Sequence, residues 1–263
     1  MKIALMDSGI GLLPAAAAVR RLRPDADLVL SSDPAGMPWG PRTPEDLTVR
    51  ALAVAEAAAA HRPDALIVAC NTASVHTLPA LRARLEPALP VVGTVPAIKP
   101  AAAGGGPVAI WATPATTGSP YQRALIEEFA SGVGVTEVAC PGLAEAVQRA
   151  DGAAVDAAIA AAAALTPADT RAVVLGCTHY ELVAERIRAA VQRPGLPPLV
   201  LHGSAGAVAA QALRRIGERT GSDAGAGAAG LTVLLDGREA ELPAAALAYA
   251  EGRLLRAVGS PVR

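Results

Sequence analysis

Two cysteines stand in matching surroundings. Leu66-Ile67-Val68-Ala69 runs into Cys70-Asn71-Thr72-Ala73-Ser74, and Ala172-Val173-Val174-Leu175-Gly176 runs into Cys177-Thr178-His179-Tyr180. Each approach is a short apolar run with no alternating polar face, the pattern of a strand buried on both sides. Open α/β sheets bind their ligands at the carboxyl ends of such strands, so both thiols sit where a reactive group is expected. A free cysteine titrates at about 8.5, and a helix amino terminus or a charged neighbour brings it within reach of neutral pH. Two thiols on opposed sides of one carbon can invert it: one, as thiolate, removes a proton while the other, as thiol, delivers one. Hydrogen bonds to an adjacent carboxylate would stabilise the carbanion between the two steps. The plainer alternative is a pair of buried structural thiols, and the matched context argues against it. Cys140, which precedes Pro141 and has no counterpart, reads as a small core residue, while His61 and His76 read as helix-surface or capping residues.

The elements that must position the thiols alternate between strand and helix along nearly the whole chain. Lys2–Met6 reads as the first strand, Asp7-Ser8-Gly9-Ile10-Gly11 as a turn, and a helix with Pro14 near its start reaches about Arg23. Asp7 and Ser8 have two readings, as caps of that helix or as side chains pointing into a cleft. A second strand, Asp27–Ser31, leads into a loop from Ser32 to Thr43 that is dense in Pro and Gly, either a surface turn or a rigid anion cradle of free backbone N–H groups. A helix from Thr43 to about His61 follows, then the Cys70 strand, a helix capped within Asn71–Ser74 with Pro79 near its first turns, and a strand over Val91–Pro96. The segment Lys99–Pro107 reads as a crossing between two halves.

The alternation then restarts: a strand at Val108–Ala112, a turn with Thr113, Thr116 and Thr117 as caps or ligand donors, a helix to about Ala130, a strand at Val135–Cys140 and an Ala-rich helix over Ala153–Leu165. After the Cys177 strand come a helix from Tyr180 to Gln192, a strand at Leu199–Leu201, a helix from Ala205 to about Arg219, a connector over Asp223–Gly230, a strand at Leu231–Leu235 and a terminal helix. Each parallel neighbour needs a crossover helix, so this pattern implies parallel sheets in two α/β lobes.

Composition narrows the partners. Lys plus Arg number 23 against 24 for Asp plus Glu in 263 residues, with no basic stripe interleaved with aromatics, which argues against nucleic acid and for a small molecule. Three cysteines without a C-x-x-C pair suit reduced thiols in a cytoplasmic protein and give no zinc pattern. Ile3–Met6 is too short for the apolar core of a signal peptide, and the Ala-rich stretches are weakly apolar and interrupted by Glu56 and Asp156, so neither export by this signal nor a membrane span is expected.

Five motifs taken in order give the chain a family likeness: Asp7-Ser8-Gly9, Pro38-Trp39-Gly40, Cys70-Asn71-Thr72-Ala73-Ser74, Ala112-Thr113-Pro114 with Thr116, and Gly176-Cys177-Thr178-His179-Tyr180. With these the sequence resembles, over essentially its full length, the glutamate racemases of the aspartate/glutamate racemase superfamily. The resemblance implies two pseudo-symmetric lobes, residues 1–97 with 205–263 and residues 98–204, each a mainly parallel sheet flanked by helices, with the active site in the cleft between them. It implies cofactor-independent interconversion of L- and D-glutamate in the cytoplasm, supplying bacterial peptidoglycan and so cell shape, with no metal, and it leaves a homodimer open. By the same resemblance Cys70 and Cys177 are the acid/base pair, with Asp7 beside Cys70 and His179 beside Cys177. Asp7, Ser8 and Thr178 would hold the amino group, Asn71 and Thr72 the α-carboxylate with Thr116 as an addition, and main-chain amides around Trp39 and Gly40 the side-chain carboxylate. Three departures stand out: Trp39 where the family usually has tyrosine, Leu12 where the first turn often has a second glycine, and Gln148 where many members have glutamate, with Glu145 three residues earlier.

Three rivals frame that expectation. One is a racemase or isomerase of the same superfamily acting on aspartate or another small acid. A second is a two-lobe binding protein of periplasmic type, which gives no reason for mirrored cysteines. The third is a cysteine hydrolase using Cys70 or Cys177 with His179 as base, which would leave one thiol idle.

Overall fold

The computed structural model describes residues 1–217 and 229–259. Contacts divide the chain into two units, one holding Met1–Thr94 and the chain from Ala205 onward, the other Val95–Ser204. The first unit begins with β1 (Lys2–Asp7), α1 (Leu13–Leu22), β2 (Asp27–Ser32), α2 (Pro44–Ala59), β3 (Ala65–Val68), α3 (Asn71–Leu85) and β4 (Val91–Gly93). The second contains α4 (Ile98–Ala103), β5 (Val108–Ala112), α5 (Pro120–Ala130), β6 (Val135–Ala139), α6 (Leu143–Gln148), α7 (Gly152–Ala164), β7 (Ala172–Leu175), α8 (Thr178–Glu181), α9 (Ala184–Val191) and β8 (Val200–His202). The chain then returns to the first unit with α10 (Ala205–Gly217), β9 (Leu231–Leu235), β10 (Arg238–Ala240) and α11 (Ala250–Gly259).

The first unit's sheet runs β10-β9-β2-β1-β3-β4 and the second's β6-β5-β7-β8. Every neighbour is parallel except the β9–β10 hairpin. Within each unit the second, first, third and fourth strands lie side by side in that order, so β1 and β5, β3 and β7 are counterparts. All residues of β3 and β7 are buried, as the continuous apolar runs require when helices cover both faces. In the first unit Ala51, Ala55 and Ala58 of α2 and Ala73 and Leu81 of α3 join Met6, Leu66 and Val68 in one core. The spacing of those alanines puts them on one stripe of α2, and their size lets the helix approach the sheet closely. In the second unit Val108 and Ile110 of β5 share a core with Val174, Ile98 of α4 and Ala130 of α5. Trp111, on the alternate face of β5, is anchored by its indole N–H on Thr166 just past α7, at 2.9 Å.

Several local expectations are corrected. Asn71 does not cap a helix but begins one: Cys70 holds the N-cap position, with no side-chain capping bond, and Pro79 lies inside α3 rather than near its first turns. Asp7 and Ser8 do not cap α1, because a 3-10 turn at Ile10–Leu12 intervenes and its flanking Gly9 has no side chain to offer. Among the three threonines after β5 none caps α5; Ser119 does, accepting from the Gln122 N–H. The segment Lys99–Pro107 is partly helical as α4, and α6 occupies a stretch in which alanine had hidden the periodicity. The single helix expected from Tyr180 to Gln192 is two, α8 and α9, separated at Leu182 and Val183, where Val183 leaves helical geometry at φ −121° and ψ 21°. Residues 218–228, which include the end of the helix expected to reach Arg219 and most of the Asp223–Gly230 connector, lie outside the described residues.

Candidate active site

Both thiols are placed by the backbone in the same way. β3 ends at Val68 and β7 at Leu175, and one more residue continues each ladder: Ala69 N–H donates to the Met6 carbonyl of β1 at 2.8 Å, and Gly176 N–H to the Trp111 carbonyl of β5 at 2.7 Å. The cysteine comes next in each case, extended, at φ −146° and ψ 120° for Cys70 and φ −135° and ψ 133° for Cys177, and a helix starts at the following residue. Gly176 is glycine for a reason of space, since a Cβ there would lie 2.8 Å from the Trp111 carbonyl oxygen.

Around Cys70 the carboxyl ends of neighbouring strands converge. Cys70, Asp7, Ser8 and Asn71 are all buried, Asp7 completely, and Thr72 is half-buried. The pairing of Met6 with Val68 sets Asp7 and Ser8 beside the Cys70 turn, and Gly9 N–H turns back onto Asp7 Oδ2 at 3.3 Å. Ser74 and Thr94 lock the turn from the other side: Ser74 Oγ accepts from Thr94 N–H at 2.9 Å, while the Thr94 hydroxyl donates to the Val68 carbonyl at 2.7 Å. At the end of β2, Asp33 Oδ2 accepts the Trp39 indole N–H at 2.9 Å, and the Trp39 ring is buried while Gly40 stays half-exposed.

Around Cys177 the second unit repeats the arrangement with other side chains. Thr116 is buried in the turn after β5, with its hydroxyl 3.3 Å from that of Thr113. Thr178 and His179 are buried in the first turn after Cys177, which is itself half-buried. His179 Nδ1 lies 3.9 Å from Cys177 Sγ, and its Nε2 lies 3.1 Å from the amide oxygen of Gln148 at the end of α6. Tyr180 is directed elsewhere: its hydroxyl donates to the Cys140 carbonyl at 3.3 Å, and burial, with nearby Cys177, Cys140 and Glu145, keeps it protonated far above the ordinary phenol range. Burial likewise pushes the Cys140 thiol up to about 12, so this cysteine is a core residue and not a nucleophile.

Each unit thus gathers its own expected residues: Asp7, Ser8, Cys70, Asn71, Thr72 and the Trp39–Gly40 loop in the first, Thr116, Cys177, Thr178 and His179 in the second. Sequence reasoning missed Asp33 as the anchor of Trp39 and the Ser74–Thr94 lock. The first had a signal, an aspartate at a strand end three residues before a glycine; the second, a pairing of residues far apart in sequence, had none. Among the described residues no group of three or more His, Cys, Asp or Glu side chains could hold a metal ion, and no helix is long and apolar enough to cross a membrane.

Two sheets that share the order of four strands, each with a cysteine at the same rung, define an α/β protein with a matched pair of strand-end thiols. Residues 14–221 match the family model described as Asp/Glu/Hydantoin racemase. The glutamate racemase of Roseiflexus sp. strain RS-1 is 41% identical over 71% of this chain and 70% of its own, and that of Granulibacter bethesdensis 42% over 73% and 71%. Among solved structures, Escherichia coli glutamate racemase in complex with L-glutamate and an activator superimposes with a TM-score of 0.76 at 27% identity, covering 98% of this chain and 95% of that one. The chain belongs to the Asp/Glu/Hydantoin racemase family.

Proposed function

We propose that this protein is a glutamate racemase that interconverts the L and D enantiomers without a cofactor, with Cys70 and Cys177 as its two acid/base groups. The observation that carries the reading is the equivalence of the two thiols: same rung, same backbone conformation, each on the residue that immediately precedes a helix. One thiolate removes the α-proton, the carbanion is held through its α-carboxylate, and the other thiol returns a proton on the opposite face. Asn71, Thr72 and Thr116 bind that carboxylate; Asp7, Ser8 and Thr178 hold the ammonium group; Asp7 and His179 support Cys70 and Cys177. The backbone amides around Trp39 and Gly40 take the side-chain carboxylate. The same reading places the enzyme in the cytoplasm as a source of D-glutamate for peptidoglycan and leaves room for a homodimer, which light scattering on the eluting protein would reveal.

The deciding experiment incubates the pure protein with each enantiomer of glutamate and aspartate and separates the products on a chiral phase. Glutamate should approach a racemic mixture from either side while aspartate is unchanged. Faster conversion of aspartate would replace the substrate, and no conversion of either would overturn the reading.

A further inference from the structure

Each strand-end thiol is followed, four residues on, by a side chain with one particular partner: Ser74 after Cys70 and Glu181 after Cys177. That partner is the residue with which the chain leaves the unit, Thr94 in the first and Ser204 in the second. Thr94 N–H donates to Ser74 Oγ at 2.9 Å; Ser204 N–H donates to Glu181 Oε1 at 2.7 Å, and its hydroxyl to the same oxygen at 2.9 Å. The donors are counterparts in their sheets. Val68 pairs with Gly93 and Val174 with His202, so continuing each register sets Thr94 beside Ala69 and Ser204 beside Gly176, the residues just before the thiols. The acceptors differ in kind: Ser74 Oγ is neutral and donates in turn to the Val68 carbonyl at 3.3 Å, whereas a carboxylate only accepts and makes the stronger, charge-assisted bonds. Gly203 leaves room for it, since a Cβ there would fall 2.4 Å from Glu181 Oε2. One contact built twice from different side chains points to a shared task. We propose that Ser74 and Glu181 are equivalent positioning residues, each fixing the thiol four residues before it to the point where the chain leaves that unit.

This deepens the racemase reading and rests on it for the part the thiols play in proton transfer. The tie reaches each cysteine through the backbone. Ser74 N–H donates to the Cys70 carbonyl at 2.9 Å, and the N–H of Tyr180, next to Glu181, donates to the Cys177 carbonyl at 3.0 Å. A displacement of about 1 Å in a proton-transferring group is enough to cost up to about a hundredfold in rate. Ser74 and Glu181 therefore act through their cysteines, and each bears on one thiol only.

Isotope effects with glutamate deuterated at Cα, measured from both enantiomers on the full chain, test this. Slowing one thiol enlarges the effect for the enantiomer it deprotonates and shrinks it for the other, whose turnover is then limited by reprotonation from that same thiol. Glu181→Leu should separate the two effects in one sense and Ser74→Ala in the opposite sense, each with kcat lowered about tenfold. Glu181→Gln, which keeps an acceptor oxygen for Ser204, should retain the wild-type pattern. Both effects moving alike in either variant, or Glu181→Gln matching Glu181→Leu, would overturn the proposal, and the Glu181 variants decide it alone if Ser74→Ala does not fold. Alkylation of the folded protein by iodoacetamide, followed at each cysteine by mass spectrometry, needs no turnover. Cys177 should react several-fold faster in Glu181→Leu with Cys70 unchanged, and Cys70 faster in Ser74→Ala with Cys177 unchanged; both thiols altered together, or neither, would count against the ties. A wild type that racemises nothing, with this alkylation pattern intact, would instead sink the racemase reading and leave the ties standing.

Discussion

Trp39 donates its indole N–H to Asp33, and the bond turns the ring into the core of the first unit while its backbone stays in the Pro38–Gly40 loop. Asp33 also accepts the Gly36 N–H at 3.0 Å and meets the Arg50 guanidinium at 3.2 Å. The loop is therefore tied down from below. Gly36 belongs to the same device, because a Cβ there would fall 1.9 Å from Asp33 Oδ2. On the proposed reading the loop amides hold the substrate carboxylate, a task that needs no phenol hydroxyl, so an indole anchored beneath the loop is compatible with binding.

Trp39→Phe keeps an aromatic ring but deletes the N–H. Removing one partner of a buried, charged hydrogen bond costs about 1–3 kcal/mol, so denaturant unfolding should show a loss of that size. If the loop holds the side-chain carboxylate as proposed, steady-state kinetics should show the KM for glutamate raised several-fold with kcat little changed. A fall in kcat at constant KM would mean that the ring acts at the reacting carbon.

On the proposed two-thiol mechanism each turnover uses both groups, so replacing either by serine, whose hydroxyl is a far weaker acid, should abolish racemisation in both directions. In deuterated water the wild type should give early product that carries deuterium at Cα while recovered substrate remains protium. Near-normal racemisation by Cys70→Ser or Cys177→Ser alone, or substrate labelled as fast as product, would require a single base.

The two lysines of the chain are occupied away from the thiols: Lys2 donates to the His61 carbonyl at 3.2 Å, and the Lys99 ammonium sits 5.5 Å from the Phe129 ring centre. A Schiff base with pyridoxal phosphate needs a free lysine amine. Lys99→Arg keeps the cation over the ring, so it should racemise glutamate at the wild-type rate; loss of turnover, with a visible absorbance in the wild type, would contradict a cofactor-free reaction.

Alkaline pH should destabilise the fold through Cys140. Burial pushes its thiol up to about 12 in the folded chain, above the ordinary cysteine range. The folded value is raised, so the stability it contributes is complete below pH 9 and is lost as pH climbs towards 12, at about 1.4 kcal/mol per unit. Tyr180 acts in the same direction at higher pH. The unfolding free energy from urea titrations should hold between pH 8 and 9 and then fall along this slope to pH 10.5, and Cys140→Ala, though less stable at pH 8, should flatten the fall. Native Cys140 should also resist alkylation at pH 8; rapid modification there would show the thiol to be accessible.

Buried strands and strand-end thiols were legible because a run such as Ala-Val-Val-Leu before Gly-Cys has few alternative conformations. Helices were harder. Alanine fits either face, so α6 and the division between α8 and α9 left no apolar stripe to read. The β9–β10 hairpin did carry a signal, the Asp236-Gly237 pair, and both residues take positive φ at 50° and 75°. The expectation from sequence has one strand there, followed directly by a terminal helix. The site residues were legible as types and order, but Asp33 under Trp39 and Thr94 across from Ser74 depend on which strands neighbour each other, and spacing alone does not specify that.

The discontinuity of the first unit bears on how the chain matures at the ribosome. The second unit is continuous, and all its strands have emerged once Ser204 has cleared the exit tunnel. The first, begun earlier, stays open along the β2 edge until β9 arrives to pair with it. The half made second is thus the half completed first, and the nascent chain carries an unfinished sheet edge for as long as synthesis takes to travel from Ser204 to Leu235.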